Sequence, residues 1–277
     1  MADMANRSFR ILEDRAEGMP LGRHVEHDAR SLLYRKAPAH TVNSVAHIRE
    51  IPVLDQGDLG SCTGNAGTGA IGTDPIYTSL PGAVMTQLNE DYAVSLYSDA
   101  TKVDDGEGSY PPEDTGSSGL AIMKVLKARG LIAGYTAATS VEEVKSVLQT
   151  VAPIIGIPWY QSFYEPKGAS AVVSIAGQVA GGHEIELTEW DSKTDTFTCV
   201  NSWGTSWGDH GRFRFTAATF ARLLAEQGDV YAAVPLTEPA PTPAPVASIW
   251  PAATVDPWLL KKHSGDSAKA AASVSVR

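Results

Sequence analysis

Three segments of the chain carry side chains whose types could do chemistry together. Cys62 ends the run Gln56-Gly-Asp-Leu-Gly-Ser-Cys62, His183 ends Gly181-Gly-His183, and Asn201 opens Asn201-Ser-Trp203-Gly-Thr-Ser-Trp207-Gly208. A thiol attacks a carbonyl carbon as thiolate, so it needs a proton acceptor or a positive field beside it. An imidazole serves as that acceptor when its ring is held in one tautomer. An Asn side-chain oxygen accepting from the ring N–H does this. In chain order the segments supply a candidate oxyanion donor, a thiol nucleophile, a general base and an orienting amide. That set reads as a cysteine hydrolase.

The same segments resemble the papain-like cysteine peptidases. His183 lies 121 residues after Cys62 and Asn201 lies 139 after it, close to the ~130–150 of that family. The resemblance runs from about residue 42 to 236. NSWGTSWGDHGRFRF is long and specific, VLDQGDLGSC moderately so, and GGHEIEL weak by itself. It implies an α+β, papain-like two-lobe fold. A helical lobe would be followed by an antiparallel β lobe, with the active site in the cleft between them.

The resemblance also implies catalytic roles. Cys62 would attack, and His183 would hold the proton as imidazolium before giving it to the leaving amine. Asn201 would orient the ring, with Trp203 lying over that bond. Gln56 and the backbone N–H of Cys62 would donate to the oxyanion. No cofactor and no metal are implied, and no histidine pair has metal-ligand spacing joined to other ligands. Three residues depart from the family's usual pattern. Leu59 replaces a cysteine, Thr63 an aromatic residue and Glu184 a small one. The first fits a disulfide-free, bacterial- or phage-type member.

Elements must position these groups. The stretch after Cys62 should open a helix whose N-terminus favours the thiolate, although Gly64, Gly67, Gly69 and Gly72 each cost about 1 kcal/mol there. Burial against the second lobe is therefore expected to hold it. Asn89–Tyr97 has a capping residue and apolar Tyr92, Leu96 and Tyr97. Ser118–Arg129 places Ile122, Val125 and Leu126 on one face, and Ser140-Val-Glu-Glu143 reads as a capping box opening a helix to about Gln149. After Pro153 the pattern predicts strands at 154–157, 171–175, 184–187, 196–200, 212–215 and 229–234, with a helix at 218–227. Glu184 should point away from His183 by strand alternation, to a surface or inter-strand position. Glu186, Glu189 and Asp191 read as a solvated acidic edge, Tyr160 and Phe163 as core, and Cys199 as a buried small apolar residue. The other six histidines, His24, His27, His40, His47, His210 and His263, read as surface or loop residues.

With 277 residues the chain can bury a full core. Residues 51–236 carry 10 basic and 22 acidic groups, which opposes nonspecific nucleic-acid binding. No run reaches the ~18–20 apolar residues of a membrane span. No h-region of a signal peptide is visible, so a cytoplasmic or phage/virion-associated location is expected.

Residues 1–41 read as an N-terminal extension, 42–236 as the catalytic domain, and 237–277 as a proline-rich, partly disordered tail. A short helix is expected at 8–16. Met19-Pro-Leu21 and Leu32-Leu-Tyr34 are expected to pack along the body, and an arm lying across the cleft would inhibit it. In the tail, residues 249–260 hold two tryptophans and four aliphatic residues. They are expected to dock on the chain itself or on a partner subunit. The function expected is a cysteine endopeptidase acting on polypeptides through a thioester. The rival readings are a catalytically silent binding or assembly module that kept the fold, and an amidase or acyl-transfer enzyme acting on peptidoglycan or isopeptide bonds.

Overall fold

The computed structural model describes residues 19–35, 38–39 and 41–237. The expected helix at 8–16 and the docking segment 249–260 lie outside the described residues.

The first half of the chain builds a helical lobe around α1 (Cys62–Ile71), every residue of which is buried. Its glycines are where its neighbours come close. A side chain at Gly64 would overlap Ala93 and Tyr97 of α4 (Glu90–Ala100), and one at Gly67 would overlap Leu96 and Ile122. Ile122 belongs to α5 (Gly119–Ala128). A sequence with poor helix propensity is thus held by close packing inside its own lobe. The helix also meets β4 of the sheet half, at Cys62 beside the Glu184 backbone and at Gly69 beside the Arg49–Glu186 ion pair, so the burial expected against the second lobe is one of two supports.

Asn89, Ser118 and Ser140 cap α4, α5 and α6 (Val141–Leu148), each side chain accepting an N–H from the first turn. The expected reciprocal half of the capping box is absent. Glu143 accepts from Thr139 N at 2.7 Å and pairs with Arg35 instead of returning to Ser140.

The second half builds the sheet. Its order is β2 (Gly134–Ala137), β7 (Asp229–Val234), β3 (Ile154–Tyr160), β4 (Val179–Asp191), β5 (Thr196–Val200) and β6 (Arg212–Thr216). The short β1 (Val45–Ala46) pairs with β4. Every pairing is antiparallel, and α7 (Ala217–Ala225) lies between β6 and β7 in the chain. With the helical lobe before it, this is the α+β arrangement expected.

One strand expectation needs correction, and one strand was not expected. Residues 171–175 form no strand. Ala171 has φ 47° after a turn at Gly168, leaving only isolated bridges at Val172. The short β2, inside the helical half, carries no clear alternation and is fixed by its pairing with β7.

Candidate active site

The loop before α1 is shaped by its own side chains. Asp55 Oδ1 accepts from Gly57 N at 3.0 Å, and Gly57 takes φ 57°, turning the chain back. Gln56 is held at both ends. Its backbone N–H donates to Ser202 O at 2.9 Å, and its Oε1 accepts from Ser202 Oγ at 2.5 Å. That fixes the amide so that Nε2 is the free donor end. Nε2 donates to Leu59 O at 2.8 Å and to Pro20 O at 3.3 Å. Gly60 N donates to Asp114 Oδ2 at 2.8 Å, and Cys62 follows as the first residue of α1.

His183 sits on β4, opposite Ile157 of β3. Its Nε2 lies 2.7 Å from Asn201 Oδ1, and the same oxygen accepts from Ser202 N at 2.8 Å. An amide oxygen accepts only, so this network assigns the ring proton to Nε2. Nδ1 has no hydrogen-bond partner among the described residues and keeps its lone pair. Trp203 stacks on the ring at 4.8 Å and 30°, and Trp159 meets it edge-on at 4.7 Å. The two indoles exclude water from the His–Asn bond. The sulfur of Cys62 accepts from the backbone N–H of Glu184, the residue after His183. The four residues picked out in the sequence are thus drawn to one place.

The electrostatics differ from the ion pair expected. Burial pushes the Cys62 thiol up to about 12, outweighing the N–H groups of Glu184, Gly22 and Thr63 that favour thiolate. Burial also lowers His183 to about 4, against the opposing bond to Asn201. Near neutral pH the arrangement therefore holds a thiol beside a neutral imidazole.

The chain's own arm is the reason for this burial. Pro20 O occupies the donor end of Gln56, and Gly22 N donates to the Cys62 sulfur. Gly22 O accepts from Ser117 N at 2.8 Å, Arg23 N donates to Gly182 O at 3.0 Å, and His24 N donates to Ser117 O at 2.6 Å. Residues 20–24 thus run through the cleft as an extended strap bonded to both lobes. Leu21 fills the space left by the missing side chain of Gly181. Beyond the strap, Glu26 pairs with Lys124 at 2.8 Å and accepts from Ser118. Leu33 and Tyr34, on a 3₁₀ turn, are half-buried.

Glu184 does turn away from His183, but to a buried place and not to the surface. It faces Gly119 at the start of α5, and Arg23. Glu186 is buried as well, bonded to Arg49 and Thr73; Glu189 and Asp191 are half-buried. Of the acidic edge expected, Glu186 is thus internal, while Glu189 and Asp191 keep partial exposure. His47 also departs from a plain surface role, bonding the carbonyls of Asp74 and Leu148 at 3.0 and 2.8 Å. Cys199 is a free, buried thiol, and Tyr160 and Phe163 pack in the core.

Sequence reasoning missed Pro20, Gly22, Arg23 and Ser117 as cleft residues. The only signal was a short apolar stretch, Met19-Pro-Leu21, in the extension. Among the described residues no His, Cys, Asp or Glu cluster could hold a metal, and no helix is long and apolar enough to cross a membrane.

If Gln56 stabilises an oxyanion, Gln56→Ala should lower turnover by about 10²–10³ with little change in KM. Steady-state kinetics on a peptide substrate check this. The Ser202 partner makes Gln56→Glu a useful companion, since a carboxylate there accepts from Ser202 but donates nothing.

Comparison with known proteins places this geometry among proteases. A family model described as papain family cysteine protease matches residues 90–232. That span holds His183 and Asn201 and begins after Cys62. The chain is 34% identical over 83 residues to cathepsin B-like cysteine proteinase 6 of Caenorhabditis elegans, and 31% identical over 83 residues to proteinase 5 of the same organism. Each match covers 29% of this chain. The chain thus spans about a quarter of the length of these curated relatives, 22% and 24%.

Among solved structures, xylellain, a cysteine protease from Xylella fastidiosa, superposes with TM-score 0.62 at 18% identity. The match covers 82% of this chain and 100% of that one. Digestive procathepsin L 3 of Tenebrio molitor larval midgut gives TM-score 0.51 at 15% identity, covering 78% and 75%. At those identities the likeness is one of fold.

Proposed function

We propose, from the premise that this chain belongs to the papain family of cysteine proteases, that it hydrolyses peptide bonds through a thioester on Cys62. The observation that carries this reading is the His183 Nε2–Asn201 Oδ1 bond beneath Trp203, which leaves Nδ1 unprotonated. In the reaction Nδ1 takes the proton of Cys62 as the sulfur bonds to the substrate carbonyl carbon. The oxyanion forms at Gln56 Nε2, where Pro20 O now lies. Collapse breaks the C–N bond, and Nδ1 gives its proton to the leaving amine. Water then attacks the thioester, losing its proton to Nδ1. The acid departs and the proton returns to sulfur.

On this reading residues 20–24 hold the resting enzyme closed, since substrate and strap need the same donors. A strap-released variant, Gly22→Val, incubated with an unstructured polypeptide should give new internal termini, seen by mass spectrometry. Release of peptidoglycan stem peptides or isopeptide-linked amines, with the polypeptide left intact, would instead support the amidase or acyl-transfer reading. No turnover of any of these would favour a silent module.

A further inference from the structure

Arg23, the strap residue next to Gly22, is buried to 6% exposure with its side chain in a pocket beside the cleft. Three adjacent strands build that pocket in one row. Gly156 on β3 lies opposite Glu184 on β4 and opposite Asp229 on β7. Directly paired residues share a face of a sheet, so two carboxylates flank a gap where the middle strand has no side chain. A Cβ at Gly156 would overlap Arg23 Nε and would come 2.6 and 2.7 Å from Asp229 Oδ1 and Glu184 Oε2.

The guanidinium enters this gap. Its Nη2 donates to Asp229 Oδ2 at 2.5 Å and to Gln227 O at 2.7 Å, and its Nε faces Glu184 Oε2 at 3.8 Å. One cation meets two buried carboxylates. Both Glu184 oxygens and Asp229 Oδ1 have no hydrogen-bond partner among the described residues. Acceptors on separate sides suit a flat fork of five donors, which an ammonium cannot match. The fit does not depend on Arg23 being part of this chain: only its backbone ties it here.

We propose that Gly156, Glu184 and Asp229 form an arginine-selecting pocket of the cleft, with Arg23 as its resident occupant, and that polypeptides bearing an arginine beside the scissile bond are the substrate class. The substrate half of this inference rests on the peptidase reading above. The pocket half does not, and the test separates them.

In the full chain carrying Arg23→Ala, millimolar ethylguanidinium should raise the melting temperature saturably, and ethylammonium at equal ionic strength should not. The response should vanish in Arg23→Ala/Glu184→Gln. With a peptide pool, the strap-released Gly22→Val/Arg23→Ala should cleave arginine-bearing members at least about tenfold faster than leucine-bearing ones, and adding Asp229→Asn should remove that preference. Should Arg23→Ala not fold, Arg23→Met keeps the aliphatic stem and serves for both measurements. Guanidinium binding without cleavage of any peptide would uphold the pocket and sink the peptidase reading. Cleavage indifferent to arginine, or a folded Arg23 variant that tells no difference between the two cations, would overturn the pocket.

Discussion

Replacing Cys62 with Ser should lower peptide hydrolysis by about 10⁴-fold or more while leaving the fold in place. Both parts follow from the site. The hydroxyl is far less acidic than a thiol, and His183, lowered to about 4, is a weak base in the closed state. The exchange changes one fully buried atom at the start of α1, and the N–H groups of Glu184 and Gly22 can donate to oxygen as well as to sulfur. Thermal unfolding should therefore move little. Comparable activity in Cys62→Ser would remove the thiol from the chemistry and with it the thioester.

The second large effect is a gain. Gly22 lies so close to the backbone of Gly60 that any Cβ would overlap its carbonyl. Gly22→Val should expel residues 20–24 and free Gln56 Nε2, Gly182 O and Ser117. Activity should rise roughly ten- to a hundredfold, in proportion to the open fraction. The pH dependence should change with it. In the closed state the Cys62 thiol lies at about 12, above its ordinary 9.0, so its alkylation should climb steadily as pH rises from about 7 to 10. Opening the cleft hydrates the sulfur and the imidazole. The thiol then falls and His183 rises, giving a bell-shaped rate whose limits belong to the pair. An unchanged rate in a folded Gly22→Val would show that the strap does not govern access.

Much of this was legible in the sequence, for reasons that differ from residue to residue. Asn89, Ser118 and Ser140 announce their helices because a cap is a local device. The strands bearing His183, Cys199 and Phe213 announce themselves through β-branched and aromatic runs. Cys62, His183, Asn201 and Gln56 were readable as a set because their flanking residues are specific in kind and order. The destination of Glu184 was not readable. Alternation gives the face of β4 on which it lies, but what covers that face depends on α5 and the arm. Arg23 was hidden for the same reason, since its partners lie more than 150 residues away. The neutral state of the Cys–His pair arises from the strap and could not come from the motif alone.

The central claim is that His183 activates Cys62 once the strap is out of the cleft. It is tested most directly by labelling with a peptidyl epoxide, locating the adduct by mass spectrometry, in Gly22→Val and in Gly22→Val/His183→Ala. The account predicts fast, single-site labelling of Cys62 at neutral pH in the first protein and loss of that labelling in the second, with Cys199 untouched in both. Equal labelling of Cys62 with and without His183 would contradict it.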